Sequence, residues 1–426
     1  MQKDSKVYNI VPALRTGSVE EYYFSKKLKE IAEMNAAGND VISLGIGSPD
    51  LPPSKEAIET FCREVQKNDV HGYQSYVGIP ALREGFAEWY RRWYDVTLDY
   101  RTEIQPLIGS KEGILHISMA FLNPGDGVLV PNPGYPTYTS VSKLVGADIV
   151  SYPLDEENGW YPDFNALERI FEERRNAGKQ AVKLMWTNYP NMPTGADASM
   201  QLYERLVDFG RCHSIVICND NPYSFILNKK PLSILSVPGA KEICIELNSM
   251  SKSHNMPGWR MAMLATNAQF LQWILKIKTN VDSGQFKPMQ LAAVEALKAS
   301  KAWYEEMNRV YQGRRDLAGQ MMRALGCHYD ENQVGMFLWG KIADAEKSGE
   351  TLADKVLYDA HVFITPGFIF GSLGERYVRI SLCCKDEMLA KALLRVREAS
   401  PLTPSIRGGN KRSLPLPPPL EGEIHN

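Results

Sequence analysis

The sequence predicts an α/β protein in which a large domain, with a mostly parallel sheet covered by helices, is joined to a smaller α+β domain. Short apolar, β-rich runs alternate with longer helical patterns from about residue 100 to residue 270, which is typical of a parallel sheet with helices on both sides. Several runs are apolar without strict alternation, as expected for strands buried on both faces. After residue 290 the pattern changes to long helices and then to a shorter α+β stretch.

The predicted strands of the large domain follow one another along the chain, at 127–130, 148–152, 182–186, 214–218, 243–247 and 261–265. A helix over 200–209 places Leu202, Leu206 and Phe209 on one face, and Gly210 is expected to end it. In such sheets ligands bind at the carboxyl ends of the strands, so the residues that follow each strand are the candidate site residues.

The smaller domain is predicted from helices over 290–300, 303–325 and 351–360, strands over 335–340, 362–365 and 378–382, and a last helix that ends near residue 399. We therefore expect residues 1–50 to form an N-terminal arm and part of the small domain. Residues 51–290 should form the large ligand-binding domain, and residues 291–400 the small C-terminal domain.

The composition changes near residue 400. The chain has 26 prolines, and six of them lie in the last 26 residues: Pro401, Pro404, Pro415, Pro417, Pro418 and Pro419. This predicts that residues 401–426 are a disordered, proline-rich tail. The alternative is a polyproline ligand for an aromatic groove.

Charge and cysteine content limit the partners and the compartment. Lysine and arginine (48) nearly balance aspartate and glutamate (50). The small net charge therefore gives the chain no general attraction to nucleic acid or to an anionic membrane. The seven cysteines form no CxxC pair, which favours a reducing compartment over a disulfide scaffold or a structural zinc site. The first residues lack the apolar core of a signal peptide, and no apolar run approaches the roughly 18 residues of a membrane helix. We expect a cytoplasmic protein without a metal.

The strongest local signal follows the predicted strand 243–247. Ser249 and Ser251 precede Lys252, and Arg260 lies eight residues further on, after Gly258 and Trp259. A lysine there can form a Schiff base, and the serines with the arginine can hold a phosphate dianion. The alternative is an exposed polar loop.

A second signal follows the strand 214–218, where Asp220 lies three residues before Tyr223. A carboxylate at a strand end can pair with a protonated ring nitrogen, because each charge stabilises the other. The alternative is that Asp220 is a loop or N-cap residue.

A third signal is the turn 109–113, in which Ser110 and Lys111 open an apolar helix. The N–H groups and the positive dipole end of such a helix can bind an anion. The alternative is simple N-capping by Ser110.

Two further segments complete the candidate site. Residues 187–195 follow another strand, and their two prolines and glycine predict a rigid turn that can carry a cis bond before Pro193. Arg379 lies on a predicted strand between apolar residues, where burial is costly unless the guanidinium meets an anion. A structural salt bridge is the alternative for Arg379.

Taken together, these segments resemble the class I/II aminotransferases, pyridoxal-phosphate enzymes with the aspartate aminotransferase fold (fold type I). The resemblance covers roughly residues 20–400, and the motifs occur in the family's order. It extends to three more segments: 44–50 (LGIGSPD), Tyr73 with 78–83 (GIPALR), and 365–371 (TPGFIFG). Residues 22–25 (YYFS) with 109–111 (GSK) are similar to the branch that contains diaminopimelate, alanine, aspartate and methionine enzymes.

The resemblance implies a seven-stranded sheet, pyridoxal 5'-phosphate as the cofactor and a homodimer with shared active sites. Lys252 would hold the cofactor as an internal aldimine and move the proton between the substrate Cα and the cofactor. Asp220 would keep the pyridine nitrogen protonated. Tyr223 would hydrogen-bond the phenolic oxygen, and Tyr135 would stack on the ring.

The remaining implied roles concern the two anionic groups. The phosphate would be bound by a set of polar side chains, one of them from the partner subunit: Ser110, Lys111, Ser249, Ser251, Arg260 and the partner's Tyr73. Arg379 would bind the substrate α-carboxylate, and the Gly47 backbone would line the same pocket. Tyr22 would be a further substrate contact.

One residue departs from the family pattern. The family has an asparagine before Pro-Thr-Gly that hydrogen-bonds the cofactor's phenolic oxygen, and this chain has Met192. A thioether is a weak acceptor and cannot donate that bond. Either Asn188 or Asn191 replaces it, or the oxygen keeps only Tyr223, which would raise the pKa of the bound cofactor.

The expected activity is transfer of an amino group from an L-amino acid to a 2-oxo acid. Two alternatives remain. The first is a pyridoxal-phosphate lyase, either a carbon–sulfur lyase or one like aminocyclopropane-carboxylate synthase, which would release product without an acceptor. The second is a non-enzymatic protein that retains the fold, although no basic helix-turn-helix segment precedes residue 20.

Overall fold

The computed structural model describes residues 10–19 and 23–399. Tyr22 and the predicted tail, 401–426, lie outside the described residues. The described chain begins with a short 3-10 helix (Leu14–Gly17), followed by α1 (Tyr23–Ala36) and β1 (Ile42–Ser43).

The next elements build a central sheet and its helices: α2 (Lys55–Glu64), α3 (Pro80–Tyr94), β2 (Ile104–Leu107), α4 (Ser110–Phe121), β3 (Gly127–Asn132), α5 (Pro136–Leu144), β4 (Asp148–Pro153), α6 (Phe164–Asn176), β5 (Val182–Thr187), α7 (Met200–His213), β6 (Val216–Asp220), β7 (Cys244–Ser249), α8 (Met250–Ser253), β8 (Ala262–Ala265), α9 (Ala268–Lys278) and α10 (Lys287–Ala296). The last elements form a second unit: α11 (Lys301–Ala324), β9 (Phe337–Lys341), α12 (Gly349–Ala360), β10 (Val362–Phe363), β11 (Thr365–Pro366), β12 (Tyr377–Ser381) and α13 (Asp386–Ala399).

The central sheet has seven strands in the order β2-β8-β7-β6-β5-β3-β4. Only β8 runs antiparallel to its neighbours β2 and β7, and the remaining pairs are parallel. This confirms the predicted fold class, and each predicted strand of the large domain is present. The strand β2 was not predicted, because it is short and contains Pro106. A proline is tolerated there because β2 lies at the edge of the sheet.

Both faces of the sheet are buried, which explains the unbroken apolar runs. In β5, Leu184 and Trp186 pack into an apolar cluster with Ile114 of α4, whereas Met185 packs into another cluster with Leu206 of α7. Consecutive side chains of a strand point to opposite faces. A strand covered on both sides therefore needs apolar residues at every position.

The prediction that Gly210 ends a helix is wrong. The helix α7 continues to His213 and ends at Ser214, which has a left-handed φ of 54°. Gly210 is instead a packing position, because a Cβ there would lie 2.5 Å from Ile243 Cδ1 and 2.8 Å from Ile217 Cγ1. The missing side chain lets α7 approach the sheet closely.

A three-stranded antiparallel sheet, β11-β12-β9, lies in the second unit. The strand β1 pairs in parallel with β10, with Ile42 opposite Val362, and Ser381 N donates to Leu44 O at 2.8 Å. The segment that follows β1 is thereby attached to the second unit and passes close to β12. None of the helices in the described part of the chain is long and apolar enough to cross a membrane.

Candidate active site

A cavity of about 450 Å³ lies at the carboxyl ends of the parallel strands and against β12. Because β5, β6 and β7 run in the same direction, their last residues share one edge of the sheet. Most of the predicted site residues line this cavity: Gly47, Ser110, Lys111, Tyr135, Asp220, Tyr223, Ser249, Ser251, Lys252, Arg260 and Arg379. Segments far apart in sequence therefore form one site.

Lys252 lies in the short helix α8, directly after β7. Ser249 caps this helix by accepting a hydrogen bond from Ser251 N at 3.1 Å. Lys252 Nζ donates to the carbonyl oxygen of Gly47. Burial lowers the pKa of Lys252, and the charges of Arg379 and Arg260 lower it further. More of the amine is therefore neutral, which is the form needed by a nucleophile or a base.

Gly47 can approach Lys252 only because it has no side chain. A Cβ at Gly47 would lie 2.2 Å from the Phe337 ring. The segment after β1 therefore fits between β9 and Lys252. The sequence pattern could not reveal that Gly47 allows this close approach.

Asp220, the last residue of β6, is a deeply buried carboxylate in the cavity wall, with only 4% exposure. Its Oδ2 accepts a hydrogen bond from Tyr138 OH at 3.0 Å, and its Oδ1 has no hydrogen-bond partner among the described residues. Burial raises the pKa of Asp220 to about 7, and the Glu246 charge adds to the effect. A buried oxygen that lacks a donor fits the protonated ring nitrogen of pyridoxal phosphate, which would supply both the donor and the compensating charge.

Tyr138 is a site residue that was not predicted. It lies one helical turn after Tyr135 in α5, and its ring stacks on Trp186 with 5.1 Å between centroids and 5° between planes. This stacking holds in place the Tyr138 hydroxyl, which donates the hydrogen bond to Asp220. The spacing of three residues from Tyr135 was the available signal, because such residues share one face of a helix.

Three of the predicted phosphate ligands, Ser110, Lys111 and Arg260, lie at the start of α4. Gly109 is the N-cap residue without a side-chain cap, and Ser110 is the first residue of the helix. N-capping by Ser110 is therefore not observed. The Arg260 guanidinium packs against Gly109, where a Cβ would lie 2.0 Å from Arg260 Nη2. A helix N-terminus with an arginine beside it is an anion-binding arrangement.

The two predicted tyrosines line the cavity and make different ring contacts. Tyr135 makes an edge contact with Tyr138, with 5.5 Å between centroids. Tyr223 makes an edge contact with Phe337 at 5.9 Å. Burial raises the pKa of both hydroxyls, so Tyr223 remains protonated and can donate a hydrogen bond.

Arg379 lies in the middle of β12 and is 4% exposed. Its Nη2 donates to Gly45 O at 2.7 Å, and its guanidinium carbon lies 3.9 Å from the Phe337 ring centroid and 4.6 Å from that of Phe370. These aromatic neighbours were not predicted. They hold the planar group in place beside the cavity.

Met192 occupies the position of the family asparagine, and the peptide bond before Pro193 is cis. Arg379 Nη1 lies 3.2 Å from Met192 Sδ. Asn191 is absent from the cavity lining, and its side-chain oxygen accepts hydrogen bonds from the Thr194 backbone and hydroxyl. Asn188 lines the cavity, but its amide already donates to Asp220 O at 2.6 Å and accepts from Met192 N at 2.8 Å.

Two predicted residues are not part of the cavity as described. Tyr73 is 95% exposed, and the next residue, Gln74, forms an antiparallel bridge with Gly284. Tyr22 lies outside the described residues.

Residues 39–396 match the family model described as aminotransferase class I and II. The chain is 39% identical to the LL-diaminopimelate aminotransferase of Moorella thermoacetica, over 90% of this chain and 97% of the relative. It is 38% identical to the LL-diaminopimelate aminotransferase of Dehalococcoides mccartyi, with the same coverage. The solved structure of substrate-bound BacF from Bacillus subtilis is 34% identical, with a TM-score of 0.86, over 94% of this chain and 100% of that chain.

These relatives favour neither the lyase nor the non-enzymatic alternative. The chain belongs to the class I and II aminotransferases, and it is a pyridoxal-phosphate-dependent enzyme that transfers an amino group from an amino acid to a 2-oxo acid.

Proposed function

We propose that Lys252 binds the cofactor covalently and moves the proton at the substrate Cα, and that Asp220 holds the ring nitrogen protonated. Bound pyridoxal phosphate would supply an electron sink for the charge that develops at this carbon. The observation that carries the proposal is that Lys252 and the unpartnered Oδ1 of Asp220 belong to one cavity. The lowered pKa of Lys252 makes its amine available as a base.

We propose that the cofactor phosphate is bound at the start of α4 by Ser110, Lys111, Ser249, Ser251 and Arg260. The closeness of Arg260 to the Gly109 backbone supports this, because a cation then lies beside the positive dipole end of α4, whose N-cap residue makes no side-chain cap hydrogen bond. Tyr135 would stack on the ring, and Tyr223 would donate to its phenolic oxygen.

We propose that Arg379 binds the substrate α-carboxylate, with Gly47 and Tyr22 in the same pocket. Exchange of Arg379 for lysine should raise KM for the amino acid roughly 10- to 100-fold, because lysine cannot donate two parallel hydrogen bonds. Steady-state kinetics will measure KM, and the visible spectrum of the bound cofactor should not change. An unchanged KM would remove Arg379 from the substrate site.

We propose that Met192 leaves the phenolic oxygen with Tyr223 as its main donor, because Asn188 Oδ1 and one of the two Nδ2 hydrogens of Asn188 are already engaged. Exchange of Met192 for asparagine should lower the pH midpoint of the cofactor's visible band by roughly one to two units, because a new donor stabilises the phenolate. The measurement is a spectrophotometric pH titration. Met192→Leu is the matched control and should keep the wild-type midpoint, and an unshifted midpoint in Met192→Asn would contradict this assignment.

We also propose a cytoplasmic homodimer in which the exposed Tyr73 reaches the partner's phosphate. The free state of all seven cysteines supports a reducing compartment. We propose that residues 51–290 form the cofactor domain, that residues 1–50 join 291–400 in the small domain, and that α10 crosses the boundary between the two. The pairing of β1 with β10 supports this division.

We propose LL-diaminopimelate as the first amino donor to test, because relatives of 38% and 39% identity carry that name. The test adds single amino acids to the purified holoenzyme and records the visible spectrum, then assays 2-oxo acid formation with and without 2-oxoglutarate. A donor that changes the spectrum and requires the acceptor for turnover supports the function. Release of pyruvate or ammonia without an acceptor would overturn it.

A further inference from the structure

A buried group of ionisable side chains lies outside the cavity lining. Glu112 and His116 are on α4, and Lys278 and Asp282 lie at and just beyond the end of α9. Lys278 Nζ is 3.1 Å from Glu112 Oε1 and 2.6 Å from Asp282 Oδ1. Glu112 Oε1 also contacts His116 Nε2. Lys278 and His116 are almost fully buried, at 2% and 0% exposure.

Lysine supplies the cation of this cluster. The ligand atoms of Glu112, His116 and Asp282 are close enough together to hold a metal ion, but the ammonium of Lys278 lies within hydrogen-bond distance of both carboxylates. One buried ammonium is therefore shared by two carboxylates within the cluster. Such a group is costly to break, because removal of one member leaves a buried charge without its partner.

One end of the cluster is attached to the proposed phosphate site. Glu112 Oε2 accepts a hydrogen bond from the backbone N–H of Ile108. Ile108 immediately precedes the turn of Gly109, Ser110 and Lys111. Glu112 thereby connects the cluster to the turn that packs against the Arg260 guanidinium.

The other end is attached to the segment that carries Tyr73. Asp282 lies two residues before Gly284, which bridges to Gln74. Gln285, the next residue, donates to the backbone oxygen of Arg260 at 2.7 Å. The stretch 282–285 thus contacts both the loop of Tyr73 and the backbone of Arg260.

We propose that Lys278 is a positioning residue for the cofactor phosphate, which it serves by holding the turn 109–111, Arg260 and the Tyr73 loop in one arrangement. This inference rests on the proposed phosphate site. It predicts that a residue outside the cavity lining affects how tightly the protein binds the cofactor phosphate.

The test compares the affinities of cofactor-free protein for pyridoxal phosphate and for pyridoxal, which lacks the phosphate. Lys278→Met should weaken binding of pyridoxal phosphate on the order of tenfold and leave binding of pyridoxal unchanged. Lys278→Arg should restore part of the loss, because it keeps the cation. Lys276→Met, on the exposed side of the same helix, is the matched control and should bind both compounds as the wild type does.

Glu112→Gln is the second variant for the case in which Lys278→Met does not fold, and it should show the same selective loss. Unchanged affinity for pyridoxal phosphate in a folded variant would overturn the inference, and so would an equal loss for both compounds, which indicates a general structural role. A wild-type protein that binds neither compound would instead refute the proposed function.

Discussion

Replacement of Lys252 by alanine should lower kcat for amino transfer by at least ~10⁴-fold, because one side chain provides both the covalent attachment and the proton transfer. Burial and two nearby guanidinium groups lower the pKa of Lys252, so its amine is available as a base. Water is a far weaker base than an amine and does not replace it. Steady-state assays with the best amino donor will measure the loss. Small primary amines added to the variant should restore part of the rate, because they can enter the space left by the side chain.

The exposed Lys229→Ala is the control and should retain wild-type activity. Lys252→Ala should still bind pyridoxal phosphate through the proposed phosphate site, but without a covalent bond. Full turnover by Lys252→Ala would refute the proposed mechanism.

Exchange of Asp220 for asparagine should lower kcat roughly 10²- to 10³-fold, because a neutral amide cannot hold the ring nitrogen protonated in a buried site. The side chain keeps its size, and its oxygen can still accept from Tyr138. The loss should therefore arise from the missing charge. Asp197→Asn, which changes a partly buried aspartate outside this cavity, should leave kcat unchanged.

The same exchange should stabilise the cofactor-free protein at neutral pH. The pKa of Asp220 is raised from 3.8 to about 7 in the folded protein. The folded protein therefore holds this proton more tightly than the unfolded chain, and stability falls as the pH rises from 3.8 toward 7. Asparagine carries no such penalty, so the gain should amount to up to a few kcal/mol.

Urea unfolding of cofactor-free Asp220→Asn and wild type over this pH range will measure the difference. A less active but more stable variant would separate the catalytic role of Asp220 from folding. A variant that is both less active and less stable at neutral pH would indicate a structural role and contradict the assignment.

The central residues could be predicted because their positions depend on short stretches of sequence. Lys252 and Asp220 each follow an apolar strand directly, and parallel strands bring such positions to one edge. The contacts that tune them were not predictable in this way. Tertiary packing between distant segments brings these groups to the site. They are the Tyr138 hydroxyl, the Gly47 carbonyl, and the Phe337 and Phe370 rings around Arg379.

The predicted strand 362–365 is in fact two short strands, β10 and β11, which belong to different sheets. Two further errors in the predicted fold have clear physical causes. Gly210 has the sequence signature of a helix end, but its lack of a side chain serves packing against Ile217 and Ile243. The strand β2 has a proline, which argues against a strand in the middle of a sheet, but not against one at its edge. In both cases the residue is compatible with two local structures, and the tertiary environment determines which of them forms.

The most direct test of the mechanism is to reduce the holoenzyme with borohydride and to map the modified peptide by mass spectrometry. Reduction makes a bond between the cofactor and its lysine permanent. The phosphopyridoxyl group should be found on Lys252 and be absent from Lys252→Ala protein treated in the same way. Its attachment to another lysine, or the absence of any modified peptide from a holoenzyme that transfers amino groups, would contradict the assignment of Lys252.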